Sequence, residues 1–132
     1  MQSNNSVKIE KYAEGHFIKT FSKKYKSHWD VTLEAITFEL GRIDYFFELK
    51  TKKLEDICGN DSIRIIKLEF TVAKSNQSAH ASGNRCIAAW DKKKNQVSIL
   101  LIYGKTDLSG HNETAEWKGI IRDNYPEYSR LF

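Results

Sequence analysis

The sequence has few of the residues that cross-link or break a chain, and it has no long apolar run. Its 132 residues include one proline and two cysteines. With so little proline, no low-complexity tract and 40% hydrophobic residues, a wholly disordered chain is excluded. The longest apolar run, 99–103, is far too short to cross a bilayer. These features predict one globular domain over 1–132 that does not bind a membrane.

Patterns for secretion, metal binding and nucleotide binding are also missing. The first residues, MQSNNSVKIE, lack the basic and then apolar order of a signal peptide. We therefore expect a cytoplasmic protein in which Cys58 and Cys86 are reduced thiols. The sequence has no CxxC, no HxxxH and no phosphate-binding GxxxxGK[ST] loop. We expect no metal and no cofactor, and Cys86 has no evident histidine partner that would make it a nucleophile.

Positive charge is concentrated in two stretches of a chain with a formal net charge of +4. Between 73 and 105 the only acid is Asp91, whereas the basic residues are Lys74, Arg85, Lys92, Lys93, Lys94 and Lys105. The second stretch holds Lys19, Lys23, Lys24 and Lys26. Localised positive charge favours an anionic partner, such as RNA or an acidic protein. For either stretch alone, a solvated surface without a partner is an equal alternative.

Apolar periodicity predicts two helices in the first third of the chain. Phe17, Phe21 and Tyr25 recur every four residues and predict a helix over 14–25. A longer stripe with spacings of 4, 3, 4, 3 and 4 predicts a second helix, and it comprises Trp29, Leu33, Ile36, Leu40, Ile43 and Phe47. Two adjacent amphipathic helices favour a helical hairpin packed on a sheet over a free coiled coil.

Strand patterns follow the helices. Alternation over 66–72 and apolar runs over 85–90 and 97–103 predict three antiparallel strands, the last one central. Their connections are the predicted charged segment 50–62, the polar loop 73–83 and the turn 91–96. A short strand over 7–12 and a final helix over 114–123 complete the prediction, with a disordered tail at 1–6 and a C-terminal helical extension over 109–132. The predicted fold class is α+β, with an N-terminal strand and helical hairpin packed on an antiparallel β-meander. We expect the helical stripe to contact Ile66, Leu68 and Phe70.

This order, and four local features, resemble the RelE/ParE-type toxin superfamily over about 7–108. The segment HFIKTFSKKY is similar to the family's opening helix, and a long second helix follows it. The segment GNRCIAAWDKKKNQVSILLIYGKTD is similar to the family's paired strands, and like them it has more basic than acidic residues. Two features depart from the family pattern, the length of the 73–83 loop and the helix beyond 109. Either departure could change the chemistry or the partner.

The resemblance implies a RelE-like fold and a toxin-like endoribonuclease that cleaves mRNA, on the ribosome, without a metal. It also implies a cognate antitoxin that neutralises the protein. Two alternatives stay open. One is a non-catalytic RNA- or protein-binding module of the same fold, and the other is a ParE-like inhibitor of DNA gyrase. Fold alone does not choose between them.

Cleavage of RNA by its 2′-hydroxyl requires proton transfer and a cation beside the phosphate. The predicted catalytic residues are Arg85, Lys105 and His111, expected to converge on the open side of the sheet. By the resemblance, Arg85 corresponds to the basic residue that the family carries on this strand, and His111 to its terminal proton-transfer residue. Lys105 follows the end of the next strand. For each of them an ordinary surface role is the alternative. The predicted RNA-binding residues are Lys67, Lys74, Lys92, Lys93, Lys94 and Tyr103. His28 is expected to be structural.

Overall fold

The computed structural model describes residues 5–49, 53–108 and 111–132. The N-terminal half contains β1 (Ser6–Ile9), α1 (Lys11–Gly15), α2 (Phe17–Tyr25), α3 (Ser27–Gly41), α4 (Ile43–Glu48) and β2 (Leu54–Gly59). The C-terminal half contains β3 (Ile63–Phe70), α5 (Ala79–Ser82), β4 (Asn84–Asp91), β5 (Gln96–Tyr103), α6 (Glu113–Asn124) and a 3-10 turn (Ser129–Leu131). Among these helices, none is both long enough and apolar enough to span a membrane.

The five strands form one sheet in the order β1-β5-β4-β3-β2. Strands β2 to β5 pair antiparallel with their neighbours, and β1 lies parallel to β5 at one edge. The predicted antiparallel meander is confirmed, with β5 inside the sheet. Strand β2 lies within the segment 50–62, which the sequence predicts to be a charged connection, so the structure corrects this prediction. Two adjacent acids, Glu55 and Asp56, and an irregularity in the pairing between Asp56 and Cys58 interrupt the alternation that would have revealed it.

The predicted helical stripe packs on one face of this sheet. Trp29, Ile36, Leu40 and Ile43 are buried in one cluster with the predicted strand residues Ile66, Leu68 and Phe70. Leu33 and Phe47 are half-buried at its margin. The predicted α+β fold class, with a helical layer packed on an antiparallel sheet, is therefore confirmed.

Both predicted N-terminal helices are divided in two. The first breaks at His16, and the second ends at Gly41, before the non-helical Arg42. At Gly41 the carbonyl accepts the backbone N–H of Asn5 at 2.8 Å, and a Cβ on this residue would lie 3.3 Å from the Asn5 carbonyl oxygen. The N-terminal segment thus crosses the helix closely at its end. Asn5 is buried and Ser6 begins β1, which corrects the predicted tail at these two positions, and residues 1–4 lie outside the described ranges.

Helix α6 covers the centre of the opposite face, in the position predicted for the final helix. Asn112 caps its N-terminus by accepting the N–H of Ala115 at 3.1 Å. Trp117 and Ile121 are buried against Ile65, Ile87, Leu100 and Leu101. The sheet therefore lies between two helical layers, and the face that was expected to be open is covered.

The packing of the helical stripe predicts a large loss of stability when one of its central residues is truncated. Leu40 is 1% exposed, so Leu40→Ala removes buried methyl groups and leaves a cavity. We expect a loss of about 2–5 kcal/mol in the free energy of unfolding, measured by chemical denaturation. The control is Val31→Ala on the same helix, where the side chain is 57% exposed and the expected change is within about 0.5 kcal/mol. Equal losses for the two variants would contradict the packing.

Candidate nucleic-acid interface

Members of the two basic stretches, far apart in sequence, meet at one end of the sheet. A cavity of about 260 Å³ lies between α2 and the turn after β5, with Lys24 on one side and Lys105 on the other. An adjoining cavity of about 340 Å³ adds Lys74 and His28. The two cavities share the lining residues Tyr25, Gln77 and Asn84. We call these two cavities together the basic groove.

The charges of the basic groove are available to a ligand. Lys24, Lys74 and Lys105 are exposed, and none of them has an ion-pair partner among the residues that the structure describes. Of the described residues that line the groove, one is acidic, Asp107, and it accepts the backbone N–H of Gly104 at 2.6 Å. Unpaired ammonium groups around a concave surface favour the binding of an anion with several charges.

Lys105 is positioned by a close contact with the chain that precedes β4. Gly83 ends α5 in the left-handed region, at φ +74°. A Cβ placed there would lie 2.6 Å from the Cβ of Lys105, so a larger residue would displace that side chain. Ser82, just before it, donates a hydrogen bond to the carbonyl of Phe70 at 2.7 Å. The end of α5 is therefore fixed between two strand ends, and it fixes Lys105 in turn.

A row of polar side chains crosses the same end of the sheet on its α6 side. Glu69, Arg85 and Tyr103 are register partners on β3, β4 and β5. One Arg85 Nη lies 3.0 Å from Glu69 Oε2, and the guanidinium also donates to the carbonyls of Ala79 and His80 at 3.3 and 3.2 Å. Arg85 is 7% exposed. Its hydrogen-bonding capacity is thus used to hold α5 against the sheet.

This burial bears directly on the roles predicted for Arg85 and Tyr103. Alternation placed Arg85 on the α6 side of the sheet, but α5 covers it there. Tyr103 is 1% exposed and donates its hydroxyl to Glu113 at 2.6 Å. Burial, followed by the hydrogen bond to Glu113, raises the pKa of Tyr103 above its ordinary value, so the phenol stays neutral. Neither side chain lines the basic groove, and neither offers an exposed surface to RNA.

The remaining predicted residues are spread over several surfaces. Lys74 and Lys105 line the basic groove. His111 is exposed beside the N-terminus of α6 and does not line it, and Lys67 lies 3.7 Å from Glu55 on β2. Lys92, Lys93 and Lys94 occupy the turn at the other end of β4, roughly 20 Å from Arg85 along the strand.

Sequence reasoning missed Lys24 and His28 as members of the site. Lys24 was noticed as part of a basic stretch, but the position of α2 against the end of β5 cannot be seen in a periodic pattern. His28 was assigned a structural role because it begins a helix. Its place in the groove depends on Lys26, whose φ of +50° turns the chain between α2 and α3.

The chemistry available in the groove is that of cations and an imidazole. Burial raises the pKa of the Cys86 thiol, which is therefore not a nucleophile at neutral pH. Within the described ranges, no three side chains of the His, Cys, Asp and Glu types are grouped so that they could hold a metal ion. Lysine ammonium groups can stabilise a phosphate, and histidine is the side chain suited to proton transfer near neutral pH.

Comparison with known proteins identifies a similar fold. The chain resembles one chain of the crystal structure of the archaeal RelE–RelB complex from Pyrococcus horikoshii OT3, with a TM-score of 0.52 and 15% sequence identity. The match covers 80% of this chain and 99% of the other. No protein-family model matches the sequence, and no curated protein does either. The fold is therefore RelE-like, as the sequence resemblance implied.

The contacts of Arg85 predict a structural rather than a surface role. Arg85→Ala leaves the Glu69 side chain, 15% exposed, with His80 Nδ1 at 2.9 Å in place of the guanidinium, and it frees two carbonyls of α5. We expect a loss of about 3–5 kcal/mol in the free energy of unfolding, measured by chemical denaturation. The matched control is Arg64→Ala, which removes a pair with Asp56 whose carboxylate is 45% exposed and should cost about 0–1 kcal/mol. If Arg85→Ala is as mild as the control, the ion pair does not hold α5.

Proposed function

We propose that this chain is a toxin-like, RNA-binding domain that cleaves bound RNA without a metal. The observation that carries the proposal is the convergence of three unpaired lysines, Lys24, Lys74 and Lys105, on one groove beside His28. The ammonium groups would bind successive phosphates of an RNA strand, releasing their counterions. The RelE-like fold supports this proposal because it matches what the sequence resemblance implied.

A single-stranded RNA fits the groove better than a duplex would. Tyr25 lies where the two cavities join and is half-buried, with the Lys24 ammonium 5.3 Å from the centre of its ring. An aromatic side chain beside cations is the usual arrangement for stacking an unpaired base next to its phosphate. Within this proposal the strand is mRNA, which the protein meets on the ribosome.

The proposed reaction is attack by the 2′-oxygen of one nucleotide on the adjacent phosphorus. The 2′-hydroxyl proton passes to a base, the bond from phosphorus to the 5′-oxygen breaks, and that oxygen takes a proton from an acid. The products are a 2′,3′-cyclic phosphate and a 5′-hydroxyl. We assign the base to His28, whose imidazole takes the 2′ proton, and the acid to water, whose hydroxide then recovers that proton from the imidazolium. Lys24 and Lys105 stabilise the phosphate charge.

Neutralisation by an antitoxin belongs to the same proposal. The similar structure is a complex of RelE with RelB, and we propose a corresponding partner for this chain. An acidic segment of such a partner would complement Lys24, Lys74 and Lys105 and exclude RNA from the groove.

A second candidate function is RNA binding without cleavage. It is favoured by the position of Arg85, the predicted catalytic cation, which is buried and paired with Glu69. A ParE-like action on DNA gyrase is the third possibility implied by the resemblance. The assays below separate the three.

The groove predicts which lysines determine RNA affinity. Lys24→Ala and Lys105→Ala should weaken binding to a short single-stranded RNA, because each removes a phosphate contact. Each should also lower the slope of log affinity against log salt by about 0.7. The measurement is fluorescence anisotropy over a salt series. Lys11→Ala, on exposed α1, is the control, and Lys93→Ala tests the distant turn. An effect of Lys93→Ala equal to that of Lys105→Ala would place RNA elsewhere.

The proposed chemistry predicts a defect in rate without a defect in binding. His28→Ala should slow single-turnover cleavage of mRNA on programmed ribosomes by roughly 10²–10⁴-fold and leave RNA affinity unchanged. If the wild-type protein binds RNA but leaves it intact, the second candidate replaces the first. If it inhibits supercoiling by gyrase and neither binds nor cuts RNA, the ParE-like function replaces both.

A further inference from the structure

The outer surface of α3 and α4 carries a second set of apolar side chains that the fold does not bury. Val31 is 57% exposed, Phe38 58%, Tyr45 40% and Leu49 54%. Val31, Phe38 and Phe46, together with Ala35, line an open depression of about 450 Å³. We call the surface formed by these six residues the outer apolar face.

None of the six residues of the outer apolar face belongs to either buried cluster of the described chain. Val31, Ala35 and Phe38 follow spacings of four and three, which makes them a second stripe on α3, apart from the buried one that begins at Trp29. The outer side of such a helix is ordinarily polar, and a contiguous exposed apolar patch marks a site of association. None of its residues lines the basic groove.

The rim of this face is acidic, although the protein as a whole is basic. Residues 27–49 hold five of the 17 acidic residues but one of the 21 basic ones, Arg42. Asp30, Glu34 and Glu48 are exposed, and none pairs with a base within the described part of the chain. Arg42 lies over the ring of Phe38, 5.1 Å from its centre. Among the described residues, the face therefore presents an apolar centre beside three unpaired carboxylates, whereas a fourth, that of Glu39, is paired with Lys53 at 2.8 Å.

We propose that the outer apolar face binds an amphipathic helical segment of another protein, with an apolar stripe flanked by lysine or arginine. Apolar contacts to Val31 and Phe38 would supply affinity, and cations facing Glu34 and Glu48 would set orientation. A second copy of this chain in the same position would bring acidic rims together, which disfavours a symmetric dimer. The acidic segment proposed for the basic groove is excluded from this face by the same repulsion, so the occupant is a different segment.

Two designed peptides test the proposal on the full chain. Both are helical and carry the same leucine stripe, one flanked by lysines and the other by glutamates. We expect the lysine peptide to bind at least tenfold more tightly by isothermal titration. The paired substitution Val31→Ser with Phe38→Ser should reduce its affinity at least tenfold, and Glu34→Lys with Glu48→Lys should reverse the preference between the peptides.

Matched controls separate the face from non-specific attraction and from the function proposed above. Glu14→Lys with Glu127→Lys makes the same charge change at two exposed positions outside α3 and α4, and it should leave lysine-peptide affinity unchanged. Lys24→Ala should weaken RNA binding but not peptide binding, so failure of one proposal is visible without failure of the other. Thermal unfolding by circular dichroism confirms that each variant is folded.

Several results would overturn the proposal. One is absence of binding by the lysine peptide. Others are equal binding of the two peptides, or binding that Glu34→Lys with Glu48→Lys leaves unchanged. Dimerisation in sedimentation equilibrium that Phe38→Ser abolishes would identify a second copy as the occupant instead.

Discussion

The buried pair of Arg85 and Glu69 is the contact through which the polar end of the sheet is organised. A guanidinium inside a protein requires both a counter-charge and acceptors for its remaining N–H groups. Glu69 supplies the first, across the strand pair, and the backbone carbonyls of α5 supply the second. The segment before β4 is therefore tied to the sheet, although it contains little apolar surface. Gly83 and Lys105 take their positions from that attachment, so the shape of the basic groove depends on a charge pair that it does not contain.

The two helical surfaces of the molecule differ in the sign of their charge. Helix α2 contributes Lys24 and aromatic residues to a concave, cationic groove. Helices α3 and α4 present the outer apolar face with carboxylates at its rim. A net charge of +4 hides this division, because it averages two surfaces of opposite sign. Under the two proposals, a nucleic acid and a basic protein segment would bind at separate sites, since each ligand is repelled from the site of the other.

The sequence predicted the elements whose apolar periodicity is unbroken. It did not predict the places where the chain departs locally from that periodicity. The stripe from Trp29 to Phe47 and the alternation around Leu68 predicted the main layer correctly, because burial imposes those periods. Strand β2 was not predicted because an irregular pairing and two acids interrupt its alternation of apolar and polar residues. Arg85 was assigned the correct face of its strand but the wrong exposure. Periodicity shows the direction of a side chain, and it does not show which distant segment covers it.

The parallel pairing at the edge of the sheet has a consequence for how the chain folds. Val7 pairs with Val97, so two segments about ninety residues apart in the sequence form neighbouring strands. The hairpin of β4 and β5 and the helical hairpin involve short loops and can form early, whereas closure of β1 onto β5 must organise a loop of about ninety residues. During synthesis β1 leaves the ribosome long before its partner does. Because this closure spans so long a loop, we expect the edge of β5 to be paired late, and until then it is open to pairing with another chain.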